Sequence, residues 1–203
     1  MNFKKWRSDI YRNRKRIYVA LFLVAVAITF QLMAGDYLSD HTNFVTAHDL
    51  ILDNFGPYHL APIFVWGFIT VMVLYFGYSF IFDVDHLPYA MNMFSLFVMV
   101  RAFSVILTHL GAPAGALTTP FPGFLQAFNL DNGYFFSAHT GIPFLGFLVY
   151  RKKHKIFGYV MLAFSILLAI TVLLMHVHYS IDVFSAYFIT FGIYTIGNKF
   201  SRK

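Results

Sequence analysis

Six stretches of mainly apolar residues divide the chain, and each approaches the length of a helix that crosses a bilayer. An α-helix needs about 17–25 apolar residues to span roughly 30 Å of hydrocarbon. The stretches are residues 17–34, 59–82, 89–110, 135–150, 156–176 and 179–197. The fourth is short and needs residue 133 or 134 to complete it. The sequence therefore predicts an all-α, polytopic membrane protein with six transmembrane helices in one bundle.

The composition excludes most soluble classes of protein. Charged residues make up only 12% of the 203 residues, whereas soluble domains contain about 25%. Hydrophobic residues make up 59% and include 26 Phe, which excludes a disordered chain and suits a surface that faces lipid. The chain has no Cys and no Glu. Thiol chemistry and Cys-based metal sites are therefore excluded, and every acidic side chain is an Asp.

Lys and Arg form three clusters that set the orientation of the predicted helices. Seven precede the first apolar stretch, four follow the fourth and three follow the sixth. Six crossings place all three clusters on one side, which the positive-inside rule makes cytoplasmic, so the net charge of +6 does not indicate nucleic acid binding. We expect a basic cytoplasmic N-terminus over residues 1–16, a membrane domain over 17–198 and a basic cytoplasmic tail over 199–203.

The first apolar stretch also follows a basic start, as a signal peptide does. It is longer than the apolar core of a typical signal peptide, and residues 32–34 make a poor cleavage site, so we expect a retained helix. The short chain and small loops favour an integral multi-pass protein of a bacterial inner membrane. The loop over residues 35–58, opposite the basic clusters, is expected to present a solvated acidic surface formed by Asp36, Asp40, Asp49 and Asp53.

Polar residues within or beside the apolar stretches are costly to bury and mark candidate sites. His178 and Asp182 are four residues apart, so the carboxylate can accept a hydrogen bond from one imidazole nitrogen and leave the other as a base or nucleophile. His139 lies near the same predicted membrane face. Two histidines and a carboxylate at one depth favour paired acid and nucleophile chemistry. A zinc site from the same residues, or a structural ion pair of His178 with Asp182, is the alternative.

Three segments resemble motifs of the type 2 phosphatidic acid phosphatase superfamily, and the resemblance covers about residues 90–195. Ser137-Ala138-His139-Thr140 is similar to its Ser-Gly-His-Thr motif. Residues 178–183, His-Tyr-Ser-Ile-Asp-Val, resemble the His-Tyr-Thr-Ile-Asp-Val signature of its sphingomyelin synthase branch. Residues 101–113, which begin with Arg, are similar to a third segment of that branch. The Arg that the phosphatases carry six residues before the second His is replaced here by Val172.

The resemblance implies metal-independent transfer of a phosphorylated lipid headgroup, with no cofactor and with the active site facing outward. His178 would attack the phosphorus of a phospholipid, and Asp182 would orient it. His139 would protonate the leaving oxygen and then accept a proton from the incoming hydroxyl. The acceptor would be a lipid alcohol such as ceramide or diacylglycerol, or water if the protein is a lipid phosphatase or a phospholipase C-type hydrolase.

Four further residues complete the predicted site as substrate-binding groups: Arg101, Ser137, His109 and Tyr179. Arg101 is the one Lys or Arg outside the three clusters, and we expect it to bind phosphate, with a structural ion pair as the alternative. For His109, the alternative to substrate binding is a structural role at the membrane interface. A transport protein or a non-catalytic membrane scaffold is the alternative of another class. The sequence does not specify an oligomeric state.

Overall fold

The computed structural model describes residues 3–40, 44–117 and 134–201. Over these residues the secondary structure is helical, with six α-helices and one short 3-10 helix, Leu52–Asn54, which confirms the predicted all-α class. The α-helices are α1 Phe3–Ser39, α2 Ala61–Phe82, α3 Leu87–Ile106, α4 Ala138–Tyr150, α5 Lys155–Leu174 and α6 Ser180–Ser201. Within the described residues, five helices are long and apolar enough to cross a membrane, and α4 is too short to be one of them. The fold is therefore consistent with a helical membrane protein.

Helix α1 is longer than the apolar stretch that predicts it. It has 37 residues, or about 55 Å, because the basic residues before residue 17 continue the same helix. The long side chains of Lys and Arg favour helix. Ala20, Ala27 and Ala34 lie seven residues apart along α1, and all three are fully buried. These small residues let α1 pack closely along α3.

Polar contacts gather the charged segments at one end of the bundle. We call this the basic end and define it by residues 3–16, 83–86, 151–154 and 198–201. Three contacts connect these segments with one another or with the start of α3: Arg12 to Asp85 (2.7 Å), Lys153 to Asp83 (2.7 Å) and the hydroxyl of Tyr89 to Asn198 (2.6 Å). The acidic loop between α2 and α3 therefore lies against two of the three basic clusters, which explains its place among them.

Asp83 is the buried carboxylate of the basic end, and we expect its replacement to make stability less dependent on pH. Its side chain is 8% exposed and accepts hydrogen bonds from His154 Nε2 and Lys153 Nζ, both at 2.7 Å. Burial raises the pKa of Asp83, but these hydrogen bonds outweigh burial and leave the pKa below its ordinary value. A depressed pKa stabilises the fold above the pKa of the unfolded chain, and the stabilisation is lost as the pH falls through the folded-state pKa.

Asp83→Asn is therefore expected to lower the free energy of unfolding near pH 7 by roughly 1–2 kcal/mol, measured by equilibrium unfolding in detergent micelles. The difference from the wild type should shrink as the pH falls below the ordinary Asp value of about 4. Asp85→Asn is the matched control, because Asp85 is half-exposed and should contribute less. A difference between Asp83→Asn and the wild type that stays constant down to pH 3 would contradict this assignment.

The other end of the bundle is formed by loops, and we call it the loop end. It comprises residues 44–60, 107–117 and 175–179, together with the start of α4. Backbone hydrogen bonds join these segments to one another and to the ends of α5 and α6: Val45 to His109 (3.2 Å), Tyr58 to Leu174 (2.7 Å), Leu117 to Met175 (3.0 Å) and Ser137 to Asp182 (3.2 Å). Helix α4 is the central helix, with ten of its thirteen residues buried, and it carries the start of the predicted site to the loop end.

Candidate active site

His178 and Asp182 form a hydrogen-bonded pair at the start of α6. His178 Nδ1 lies 3.2 Å from Asp182 Oδ2 and 3.0 Å from the backbone carbonyl of Tyr134. Both neighbours of Nδ1 are acceptors, so Nδ1 carries the proton of the neutral imidazole and Nε2 keeps its lone pair. The side chain of His178 is 9% exposed. The arrangement fixes one tautomer and offers Nε2 as a base or nucleophile.

Asp182 is fully buried, and its two oxygens differ in their surroundings. Oδ2 accepts hydrogen bonds from His178 and from the backbone N–H of Tyr179 at 3.0 Å. Oδ1 has no hydrogen-bond partner among the residues that the structure describes. A carboxylate in the first turn of a helix is stabilised by the helix dipole. Asp182 is therefore placed to hold the imidazole and to stabilise positive charge on it.

His139 is the second residue of α4, and its ring lies against two aromatic rings of α2. The ring centroids of His139 and Phe64 are 4.1 Å apart in a stacked arrangement, and those of His139 and Phe68 are 4.3 Å apart. These contacts set the plane of the imidazole. His139 also lies within electrostatic range of His178 and Arg101. The structure thus brings together the two histidines that the sequence predicts as partners.

Arg101 approaches the same place from α3. Phe97, one turn earlier on α3, packs edge to face against Phe136 with ring centroids 5.3 Å apart. Residues four apart share a helix face, so the face of α3 that carries Arg101 is directed toward the start of α4. Arg101 Nε is buried, and the guanidinium lies within electrostatic range of Asp182. Arg101 therefore lies within electrostatic range of both Asp182 and His139.

Ser137 is the N-cap residue of α4, but its side chain takes no part in capping the helix. Its hydroxyl is fully buried, makes no capping hydrogen bond and has no partner among the described residues. The first N–H groups of a helix have no acceptor within the helix and lie at the positive end of its dipole. With Arg101 alongside, this N-terminus has the features of an anion-binding site.

A close helix contact sets the distance between α4 and its neighbours at this point. A Cβ on Gly141 would lie 2.6 Å from the ring of Phe97 and 3.0 Å from the hydroxyl of Thr190. A larger side chain would therefore push α4 away from α3 and α6. Glycine at this position lets the first turn of α4 pack closely against Phe97, which lies one turn before Arg101 on α3.

The side chains of two predicted substrate-binding residues make their contacts elsewhere in the loop end. The hydroxyl of Tyr179 donates to the carbonyl of Gly111 (3.0 Å) and accepts from the N–H of Ala47 (3.1 Å). His109 is exposed beyond the end of α3, with its ring centroid 6.1 Å from that of Tyr37. Tyr179 thus binds loop backbone, and His109 lies on the side of the bundle formed by α1 and α3.

The expected solvated acidic surface is wrong for one of its four residues. Asp49 is only 7% exposed, and its carboxylate accepts the N–H of Ser180 at 2.6 Å. Asp53, four residues later, is half-exposed as expected. Burial of Asp49 follows from its contact with the start of α6, which lies far away in the sequence.

The carbonyl of Tyr134 is a further contact of His178 that no sequence pattern indicates. It acts through the backbone, so the identity of its side chain carries no signal. Tyr134 itself is buried, and its ring packs edge to face against that of His178 at a centroid distance of 6.2 Å. The one sequence feature that could have indicated this contact is the position of Tyr134 just before the Ser137 motif.

No group of three or more His or Asp side chains is placed to hold a metal ion in the part of the chain that the structure describes. Comparison of the chain with models of protein families and with curated protein sequences finds no match.

Proposed function

We propose that this protein is a membrane enzyme of the type 2 phosphatidic acid phosphatase superfamily, similar to its sphingomyelin synthase branch. It transfers the phosphorylated headgroup of a phospholipid to a lipid alcohol. The observation that carries the proposal is the state of His178, whose Nδ1 is held by two acceptors while Nε2 keeps its lone pair. His178 lies within electrostatic range of His139, and Arg101 lies within electrostatic range of both His139 and Asp182.

The first half-reaction forms a covalent bond between His178 and the headgroup phosphorus. Nε2 of His178 attacks the phosphorus, and the bond from phosphorus to the oxygen of diacylglycerol breaks. Protonated His139 gives its proton to that oxygen, so neutral diacylglycerol leaves. Asp182 stabilises the positive charge that develops on the imidazole of His178.

The second half-reaction reverses these roles. The hydroxyl of ceramide or diacylglycerol gives its proton to His139, which is neutral after the first step. The oxygen then attacks the phosphorus, and the bond between phosphorus and His178 Nε2 breaks. Both histidines return to their starting states. Water in place of the lipid alcohol would give hydrolysis by the same steps.

The phosphate charge is held at α4 because the start of α6 is already occupied. Asp49 and Asp182 accept the N–H groups of Ser180 and Tyr179, so two carboxylates cover the positive end of α6. The corresponding end of α4 carries the hydroxyl of Ser137 and lies beside Arg101. A guanidinium can bind two phosphate oxygens through its planar fork.

We further propose that all six helices cross the membrane, with both termini cytoplasmic and the site facing outward. The clustering of basic segments at one end supports this orientation. Helix α4 has 13 residues, or about 20 Å, which leaves it roughly 10 Å short of the hydrocarbon thickness. Non-helical backbone at that depth is tolerated where it lines a polar cavity. A recess at the start of α4 would place the catalytic groups within reach of lipid headgroups.

Single cysteines test this topology directly, because the chain has no native Cys. We expect Val45→Cys and Ala114→Cys to react with an impermeant maleimide from outside the cell. Lys152→Cys should react only after the membrane is permeabilised. Ala114 and Lys152 are both exposed and flank α4, so their difference reports whether α4 completes a crossing. Labelling of both positions from the same side would contradict six crossings.

The proposed activity is tested by incubating purified protein with phospholipids that carry a labelled headgroup. Phosphatidylcholine, phosphatidylethanolamine and phosphatidylglycerol are supplied separately, with ceramide, with added diacylglycerol or with neither. A labelled sphingolipid, or transfer of label to the added diacylglycerol, supports the transferase. Release of the free phosphorylated headgroup supports the hydrolase. No labelled product from any of the three donors would contradict the proposal.

A further inference from the structure

Asp49 joins the connection between α1 and α2 to the start of α6. Its Oδ2 accepts the N–H of Ser180 at 2.6 Å, while its Oδ1 accepts the N–H groups of Ile51 at 2.9 Å and Leu52 at 3.2 Å. The carboxylate is 7% exposed. Every one of these donors is a backbone group, so Asp49 links two segments of backbone that are more than a hundred residues apart.

Tyr179 makes a second link between the same segments. Its hydroxyl accepts from the N–H of Ala47 at 3.1 Å and donates to the carbonyl of Gly111 at 3.0 Å. Both residues that follow His178 are therefore tied to the loop end through residues 44–54. The stretch that carries His178 cannot shift without breaking one of these hydrogen bonds.

The residues before His178 are held from the other side. His176 has a left-handed backbone with φ of 55°, and its Nδ1 lies 3.0 Å from the carbonyl of Ala114. The N–H of Val177 donates to the carbonyl of Val172 at 3.0 Å, and the carbonyl of Met175 accepts from Leu117. His178 thus lies between two anchored stretches, and the anchor at Ser180 is supplied by Asp49.

From this arrangement we infer that Asp49 is a positioning residue for the imidazole of His178. Asp49, which does not act on the substrate itself, then supports the active site through its hydrogen bond to the N–H of Ser180. The inference rests on the proposed role of His178 as the nucleophile. It assigns a function to a carboxylate that local sequence does not distinguish from Asp53.

The chemistry of Asp49 suits a permanent anchor. Burial raises the pKa of Asp49, but the hydrogen bonds from Ser180, Leu52 and Ile51 outweigh it and leave the pKa below its ordinary value. The group is then charged at neutral pH, and a negative charge at the start of α6 is favoured by the helix dipole. An Asn at this position keeps one acceptor oxygen for Ser180 but offers an NH₂ to Ile51 and Leu52.

The test compares Asp49→Ala, Asp49→Asn and the control Asp53→Ala in the full chain, assayed for phospholipid turnover. Asp53 lies in the same connection, is 52% exposed and lies 3.5 Å from the exposed His48. We expect Asp49→Ala to lower kcat by about 10- to 100-fold with KM changed less than about threefold, because small displacements of a reacting group have effects of this size. Asp49→Asn should recover part of the loss and remain several-fold below the wild type, and Asp53→Ala should match the wild type.

A second measurement reads the state of His178 without turnover. Exchange of its Cε1 proton with deuterium, followed by mass spectrometry, depends on the surroundings of the imidazole. We expect this rate to change at least threefold in Asp49→Ala and to stay at the wild-type value in Asp53→Ala. A wild type that turns over no phospholipid would contradict the proposed function, while the exchange rates would still decide whether Asp49 positions His178.

Two results would overturn the inference. One is equal kcat in Asp49→Ala and Asp53→Ala. The other is an exchange rate at His178 that does not respond to Asp49→Ala. If Asp49→Ala does not fold, Asp49→Asn is compared with Asp53→Ala instead. Its kcat should still be several-fold lower than that of Asp53→Ala. Asp49→Asn that equals the control in both measurements would then overturn it.

Discussion

Replacement of His178 by alanine is expected to abolish both phospholipid turnover and covalent labelling of the protein. The imidazole supplies the attacking nitrogen, and alanine offers no nucleophile in its place, so the loss should reach at least about four orders of magnitude. Asp182→Asn should fall between this variant and the wild type. Its amide oxygen can still accept a hydrogen bond from Nδ1–H but no longer stabilises the charge on the imidazole, and losses of about 10²–10⁴ are typical of such groups.

The measurement is the initial rate of labelled product formation by folded, monodisperse protein. His48→Ala is the matched control, because its side chain is fully exposed at the loop end and lies 3.5 Å from the half-exposed Asp53. It should retain the wild-type rate. Turnover above roughly 1% of the wild-type rate in His178→Ala would be incompatible with His178 as the nucleophile.

Replacement of His139 by alanine is expected to separate natural lipids from substrates with good leaving groups. The alkoxide of diacylglycerol needs a proton as it leaves, so turnover of phospholipids should fall by about 10²–10⁴. The p-nitrophenolate ion leaves without a proton. A p-nitrophenyl phosphodiester should therefore still give a burst of p-nitrophenolate, since that burst reports the first half-reaction alone.

A second substitution at the same position serves as the control for lost packing. His139→Asn removes the acid but fills more of the space beside Phe64 and Phe68 than alanine does. If His139 acts as the acid, both variants should lose turnover of phospholipids and keep the burst of p-nitrophenolate. If its ring contacts with Phe64 and Phe68 are what activity requires, only His139→Ala should lose activity. Equal loss on the natural and the activated substrate by both variants would contradict the role of His139 as acid.

The helices could be predicted from sequence because the length of an apolar stretch decides whether a helix can cross a bilayer. The ends of the helices cannot be predicted from the length of the apolar stretch. The basic residues before residue 17 continue α1, where Trp6 donates to the carbonyl of Phe80 at 2.7 Å. Helix α4 begins at Ala138 rather than at residue 135, because Ser137 has an extended backbone and caps it. Hydropathy carries no information on either point.

The core of the site could be predicted because His178 and Asp182 are close in the sequence. The prediction that His139 and Arg101 join this pair required the assumption that separate helices bring polar groups to the same depth in the membrane. Asp49 and Asp53 have the same side chain and similar neighbours, and only the contact of Asp49 with Ser180 separates them. Tyr179 follows His178 directly, yet its hydroxyl binds the backbone of two loops, since neighbouring residues point in different directions.

The central claim is that His178 carries the headgroup phosphorus during turnover, and its most direct test is to trap that adduct. The protein is mixed with excess phospholipid without acceptor, quenched at alkaline pH, where a phosphorus–nitrogen bond to histidine is stable, and digested for mass spectrometry. We predict one modified peptide, with the phosphorylated headgroup on His178, which disappears when ceramide is added before the quench. An adduct on a different residue, or turnover with His178 unmodified at every time point, would contradict the account.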